Sequence, residues 1–491
     1  MSSSNEELLR ANAPDAATQA ARLAALNGKT CLWITAPVIP MMSCIMTDRI
    51  RWATAQGVEI CAVFSSEEDK LYAIMNDKQL FSRAIFADLN ADDVADRIIA
   101  AVKEAGVEPH SVFSPYEQCQ TIVGDVGTKL GLMANPAKAY SLARSKDRTR
   151  VACREAGLPT PRSGVCSTVD GLEEVMAAVG YPSILKPASG AGSAGVYRAS
   201  SIEEAKRAFK IIEEDFRKNS GLSWNPGLGT NKVLVEELLV GPEFDVDILM
   251  WEGEAIYVRT VDNWECIPPY FLETGSNQPS VFPKDTVADL EKYSIDCVRA
   301  LGFTFGCFHV ESIITAEGPR LIEVNARQGG GSMQEFNMGI HDVDIFANFF
   351  IGTFGIPINP PVTPSKCAMA DYSITCPRTG ILEDLDFLDR IREHPNVTRV
   401  GTFCKPGDRV TGYDSGFPIW IGEFVVSAET PEAAIKIVDE IKETLTFNIR
   451  PESGSVAASD PSAVAEPATE QLADAVNSKL DISASADPAS A

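Results

Sequence analysis

Apolar residues in the first part of the chain come in short runs of strand character: CLWITAP at 31–37, EICAVFS at 59–65, RAIFAD at 83–88 and HSVFSPY at 110–116. The intervals at about 46–56 and 91–105 have a helical pattern. Strands alternating with helices predict an α/β fold on a parallel sheet. Loops at the carboxyl ends of such strands face the ligand crevice, which brings 37–43 and Tyr116 to Gln118 towards a substrate. Glu117 is read first as an acid favoured at a helix start, and second as a substrate contact. No GxGxxG follows the first strand, so no dinucleotide site is predicted.

Further along, the period becomes that of paired strands. Phe305 to Ile314 and Arg320 to Val324 are β-prone and separated by the turn-forming residues 316–319, which predicts a hairpin. Glu311 and Glu323 can then face each other, and Asn325 falls on the side of Glu323. Two carboxylates and an amide oxygen converging on one point suit Mg²⁺, a hard cation that takes oxygen ligands and leaves positions for water and phosphate. Arg327 continues the alternation and adds a positive charge beside it. Taken alone, the pair reads equally as the exposed face of an ordinary hairpin. His309 shares a strand face with Glu311 and is read as a buried orienting residue ahead of a catalytic base.

Two more segments carry chemistry. YPSILKPASGAGSAGV (181–196) is a short strand ending in Lys186, followed by a loop of small residues from Ser189 to Gly195 that includes Ser193. Such a loop lets backbone amides approach phosphate oxygens, and the lysine supplies a compact charge for them. The Lys precedes the loop, so it is not a P-loop; a plain hairpin tip is the bland alternative. VLVEELLVGPEFDVDILM (233–250) has strand-like runs on both sides of Gly241-Pro242. Glu236, the backbone at Glu237 and Leu239, and Glu243 could serve an adenine and a ribose, or be solvated acids on a hairpin.

In this order and spacing the three segments resemble the ATP-grasp superfamily over roughly residues 30 to 450. The resemblance implies that ARSKDRTRVACREAGLPTP (143–161) carries a first nucleotide lysine, Lys146, with Lys186 as the second. It further implies Glu236 as the hinge acid, Glu243 at the ribose, Glu311, Glu323 and Asn325 as ligands for Mg²⁺ (or Mn²⁺), and Arg327 as the active-site arginine. SPYEQCQTIVG, FHVE and IEVNARQGGGS are similar to the amino-acid ligases that make dipeptides, carnosine-synthase-like proteins among them. Those ligases often have Gly-His before a Pro-Ser; here Asn277 stands at that place, which implies a different acceptor.

The implied architecture is an N-terminal extension (1–28), a parallel-sheet pre-ATP-grasp domain (29–140), and an ATP-grasp domain (141–365) with a lid at about 162–238. A C-terminal α/β subdomain (366–450) and a disordered acidic tail (451–491) complete it.

The implied reaction is ATP-dependent. With four histidines and no nucleophile elbow, chemistry rests on metal and charge: a carboxylate takes the γ-phosphoryl group, an amine attacks the acyl phosphate, and Arg327 with the backbone amides around Gly330 and Gly331 stabilises the oxyanion. ADP and phosphate leave. Biotin-carboxylase-like and enol-phosphorylating enzymes share such a site, and a non-catalytic ATP-binding module is the reading from another class.

Composition narrows the partners. A formal charge of -25 argues against nucleic acid and anionic membranes, which leaves small carboxylates and amines, and a homodimer by analogy. Twelve cysteines without a CxxC pair suit free thiols in a reducing compartment. The apolar run 31–46, broken by Pro37 and Pro40, is too short to span a bilayer, and a cytoplasmic location is expected.

Overall fold

The computed structural model describes residues 16–36, 43–190, 193, 195–219, 232–267, 271–361, 363–413 and 418–451. The first fifteen residues, most of the first ligand loop (37–42) and the expected tail beyond 451 lie outside them.

β1 (Thr30–Ile34), β2 (Glu59–Phe64), β3 (Arg83–Phe86) and β4 (Ser111–Phe113) form the parallel sheet that the periodicity predicts, in the order β3-β2-β1-β4. β1, β2 and β4 are buried almost throughout, as expected of strands covered on both faces, while the edge strand β3 is partly exposed. The helix Ile345–Gly352, every residue of which is buried, packs against it. There Phe350 meets Trp33, Trp52 and Phe113 at ring-centroid distances of 6.1, 6.1 and 5.4 Å. Offset and edge contacts of this kind add to the burial of the rings.

β5 (Ser163–Cys166), β6 (Ser183–Pro187), β7 (Tyr197–Ala199) and β8 (Val233–Glu237) make a separate antiparallel sheet in the order β5-β8-β6-β7. The helices Leu172–Val179 and Ile202–Asn219 share its small core through Leu172, Met176, Phe209 and Ile212.

The remaining strands are β9 (Glu243–Trp251), β10 (Glu254–Asn263), β11 (Gly275–Gln278), β12 (Gly306–Thr315), β13 (Gly318–Asn325), β14 (Ala368–Thr375), β15 (Gly380–Leu382), β16 (Val397–Thr402), β17 (Arg409–Val410), β18 (Trp420–Ala428) and β19 (Ile449–Arg450). Eight of them form one antiparallel sheet, β13-β12-β9-β10-β11-β14-β18-β16. The segment from 366 onward therefore does not stand apart: β14 pairs with β11, so the C-terminal strands extend the central sheet. β17, β15 and β19 make a small sheet beside it.

The hairpin turn is tighter than residues 316–319 suggest. Pro319 already lies in β13, opposite Ile314. It is tolerated because β13 is an edge strand, where a missing N–H breaks no ladder bond. Among the described residues the cysteines are free thiols, and no helix is long and apolar enough to cross a membrane.

Truncating the central ring at the joint between the parallel sheet and the rest, Phe350→Ala, should cost about 3–5 kcal/mol. A urea unfolding curve checks this; an unchanged midpoint would show that the joint does not hold the fold together.

Candidate active site

The site is built by strand register. β12 pairs with β9 so that Glu311 lies opposite Asp245 and His309 opposite Asp247; it pairs with β13 so that Glu311 lies opposite Glu323 and His309 opposite Asn325. Side chains directly across a ladder share a face. One row therefore reads Asp245, Glu311, Glu323, and the next Asp247, His309, Asn325.

The meeting of Glu311 with Glu323 depends on a bulge. From the tight turn outward Thr315 faces Gly318 and Ser312 faces Leu321, a register that would set Glu311 against Ile322. Ile322 is the extra residue, and the shift brings Glu323 opposite Glu311. The Ile322 carbonyl accepts a 2.6 Å hydrogen bond from Arg150 Nη2. Arg150, fully buried on the helix Lys146–Glu155, also holds Glu236 through Nε at 2.6 Å, and Lys186 Nζ reaches the second oxygen of Glu236 at 2.7 Å. Burial opposes ionisation of Glu236, but Arg150 and Lys186 outweigh it and bring its pKa down to about 2. The Glu236 side chain is thus a tie between the two lysine-bearing elements.

Lys146 lies across the cleft. Its ammonium pairs with Glu323 and donates to the Gly190 carbonyl at 3.0 Å. Against the cost of burial, that lysine holds the Glu323 pKa at about 2. Glu311, desolvated and flanked by Glu323 and Asp245, is pushed well above the usual carboxylate range. The Asn325 amide donates to Glu311 at 3.1 Å, and its oxygen lies 3.5 Å from Arg327 Nη2. Burial, then Asp245 and Glu273, push Glu243 up to about 8.

Lys146, Lys186, Ser193, Glu236, Glu237, Leu239, Glu243, Glu311, Glu323, Arg327, Gly330 and Gly331 all line one cavity of about 360 Å³. Asn325 is buried behind it. Ser193 and Gly195 take left-handed backbone conformations, with φ of 55° and 76°. Residues 191, 192 and 194 of the same loop lie outside the described residues.

Of the two N-terminal candidates, Tyr116 is buried against Met46. Glu117 instead reaches Arg327 Nε at 3.4 Å. Asn277 does not line the cavity: it is 1 % exposed, accepts from Trp264 Nε1 and donates to Asp262. The place expected to distinguish the acceptor is scaffold behind Gly275 and Ser276.

Several lining residues were missing from the sequence reading: Asp245, Glu273, Ser276, Asp371, Trp420 and Glu423. Most lie on strands that only the continuous sheet brings over the acid row, and no spacing rule links residue 245 to 371 or 423. Asp371 accepts from Ser276 and from Ser332, each at 2.7 Å. Arg399 joins Glu423, Glu335 and Ser332, which fixes the end of the glycine loop.

The ATP-grasp domain family matches residues 179–335, and the L-amino acid ligase C-terminal domain 2 family matches 373–450. The chain carries an ATP-grasp domain and the C-terminal domain of the L-amino acid ligases. Carnosine synthase 1 of Gallus gallus is 30% identical over 287 residues, covering 56% of this chain and 30% of that protein. Dapdiamide A synthase of Enterobacter agglomerans is 30% identical over 162 residues, 31% of this chain and 34% of its own. The chain thus spans about a third of the length of these relatives. A crystal structure of an L-amino acid ligase from Bacillus licheniformis shares the fold at a TM-score of 0.72, with 20% identity over 86% of this chain and 99% of that one.

Arg150→Met should cost about 3–5 kcal/mol, because it strips a buried carboxylate and a bulge carbonyl of their partner. The folded pKa of Glu236 lies below its ordinary 4.5, so its contribution is present above about 4.5 and is lost as pH falls towards about 2. Wild type should therefore resist acid unfolding to a lower pH than the variant. Coincident acid-unfolding curves would contradict the role of the tie.

Proposed function

We propose that the chain is an ATP-dependent carboxylate–amine ligase. It joins amino acids or related small acids and amines through an acyl phosphate, releasing ADP and phosphate. The observation that carries this reading is one cleft with three kinds of lining: two lysines beside the loop from 189 to 195, an acid row with Arg327 at its end, and an acid-lined lobe with Trp420.

The hinge backbone at Glu237 to Leu239 and the Glu243 side chain serve the adenosine. Lys146 and Lys186 neutralise phosphate oxygens, and the backbone around Ser193 adds donors. The donor set of Glu311, Glu323 and Asn325 fits Mg²⁺ or Mn²⁺: two acids set opposite each other by register, with an amide oxygen beside them, form an oxygen-rich point. An ion held there by these residues would supply positive charge against the phosphate groups.

Arg327, with a planar donor array suited to carboxylates and phosphates, orients the acid whose oxygen attacks the γ-phosphorus. The bond to ADP breaks as the acyl phosphate forms. The amine then adds to the carbonyl, and the amides of Gly330 and Gly331 with Arg327 stabilise the tetrahedral oxyanion. Phosphate leaves and the amine proton passes to solvent. Glu273 in the far lobe suits an ammonium group carried by a substrate. The C-terminal domain match supports amino acids as the substrate class, and the resemblance to carnosine synthase supports a dipeptide product.

Screening pairs of amino acids and amines for phosphate release should find pairs that turn over with ADP as the nucleotide product. AMP and pyrophosphate would refute the acyl-phosphate route. In the same assay Glu323→Gln should lower turnover by at least about two orders of magnitude, since metal positioning supplies several kcal/mol to the transition state. Normal turnover in a folded variant would contradict the assignment of Glu323.

A further inference from the structure

We propose a second cation site beside the nucleotide metal, formed by Asp245, His309 and Glu311 and suited to a divalent ion that accepts imidazole, such as Mn²⁺, Co²⁺ or Zn²⁺. It rests on the reading above only through Glu311, whose carboxylate the two ions would share. Three observations converge on it.

The first is spacing. His309 Nε2 lies 3.4 Å from Asp245 Oδ2 and 3.9 Å from Glu311 Oε1, and one ligand atom from each residue falls within 4.8 Å of the others. Two atoms each about 2.1 Å from one ion stand roughly 3.0–3.5 Å apart at angles near those of octahedral or tetrahedral sites, so the Asp245–His309 pair fits as it stands and the Glu311 carboxylate closes on the ion as it binds. A charge-assisted hydrogen bond would instead draw imidazole and carboxylate to about 2.8 Å. The Asp245 contact is long for such a bond and right for two ligands of one ion.

The second is the support behind the imidazole. His309 Nδ1 is 2.9 Å from Asp247 Oδ1. Asp247 Oδ2 accepts from Asn337 Nδ2 at 2.8 Å, and Asn337 accepts from the Tyr257 hydroxyl at 2.5 Å. All four residues are buried. A carboxylate on one ring nitrogen fixes the tautomer and turns the other outward as a metal ligand. Gly329 closes over the ring: a Cβ there would stand 2.6 Å from His309 Nδ1, so the glycine loop leaves the imidazole one position.

The third is charge. The row Asp245, Glu311, Glu323 places like charges directly opposite each other on three adjacent strands, which is destabilising without a counter-ion. Lys146 answers Glu323 at one end of the row. Asp245, at the other end, has Asn263 at 2.9 Å and His309 as its neighbours. An ion between Asp245 and Glu311 completes the compensation.

Mn²⁺ added alone to the nucleotide-free protein tests the site by pulsed electron paramagnetic resonance. Wild type should show imidazole nitrogen coupling to the bound ion, His309→Gln should lose it, and Asp247→Asn should weaken Mn²⁺ binding by about 10–100-fold. Coupling to water and carboxylate alone in the wild type, coupling that survives His309→Gln, or unchanged affinity in Asp247→Asn would each overturn the proposal. Anomalous scattering from Mn²⁺ in wild-type crystals decides the matter without a variant: density at bonding distance from His309 Nε2 supports the site, and density at Glu323 and Asn325 with none at His309 overturns it. Ligase turnover without nitrogen coupling would sink this site and leave the proposed activity standing. Nitrogen coupling in a protein that forms no amide would do the reverse.

Discussion

The structure depends on three strands that set acid against acid. Asp245, Glu311 and Glu323 occupy one row across β9, β12 and β13, where a folded protein would ordinarily place a complementary pair. Lys146 answers Glu323 at one end of that row, and Arg150 with Lys186 holds Glu236 nearby. Arg150 has a second part, since the Ile322 carbonyl it binds belongs to the bulge that brings Glu323 opposite Glu311. One buried guanidinium therefore couples the helix that carries Lys146, the strand that carries Glu236, and the register of the acid row.

The domains around the sheet act as clamps on the end of β13. Glu117 from the parallel-sheet domain reaches Arg327, and Arg49 donates to Gln328 at 2.6 Å. From the other side, Arg399 on β16 holds Ser332 and Glu335. The residues between, Gln328 to Gly331, are thereby gripped from both sides. Groups that stabilise a developing charge are worth most when they need not reorganise during the reaction, and this arrangement provides for that.

The parallel sheet and the acid hairpin were legible in the sequence because each rests on local signals: alternation of strand and helix in one case, period-two apolar runs around a turn in the other. Glu311, Glu323 and Arg327 could be singled out for that reason. The bulge at Ile322 was not legible, since the group that binds its carbonyl is Arg150, 172 positions away. The same limit hid Asp245, Asp371 and Glu423, which approach one another through sheet pairing over long separations. Glu117 drew attention as a helix-start acid, yet its partner is Arg327, and nothing in the local pattern around residue 117 points to residue 327. Asn277 shows the opposite error, a motif position that turned out to brace a wall instead of facing a substrate.

The claim at the centre is that this acid row and Arg327 direct the γ-phosphoryl group of ATP onto a carboxylate. The most direct measurement follows an oxygen atom. With an acid labelled with ¹⁸O in its carboxylate, and an amine that supports turnover, the released phosphate should carry one ¹⁸O for each amide formed. Amide formation with unlabelled phosphate would mean that the carboxylate oxygen never bonded to phosphorus, and the account would be wrong.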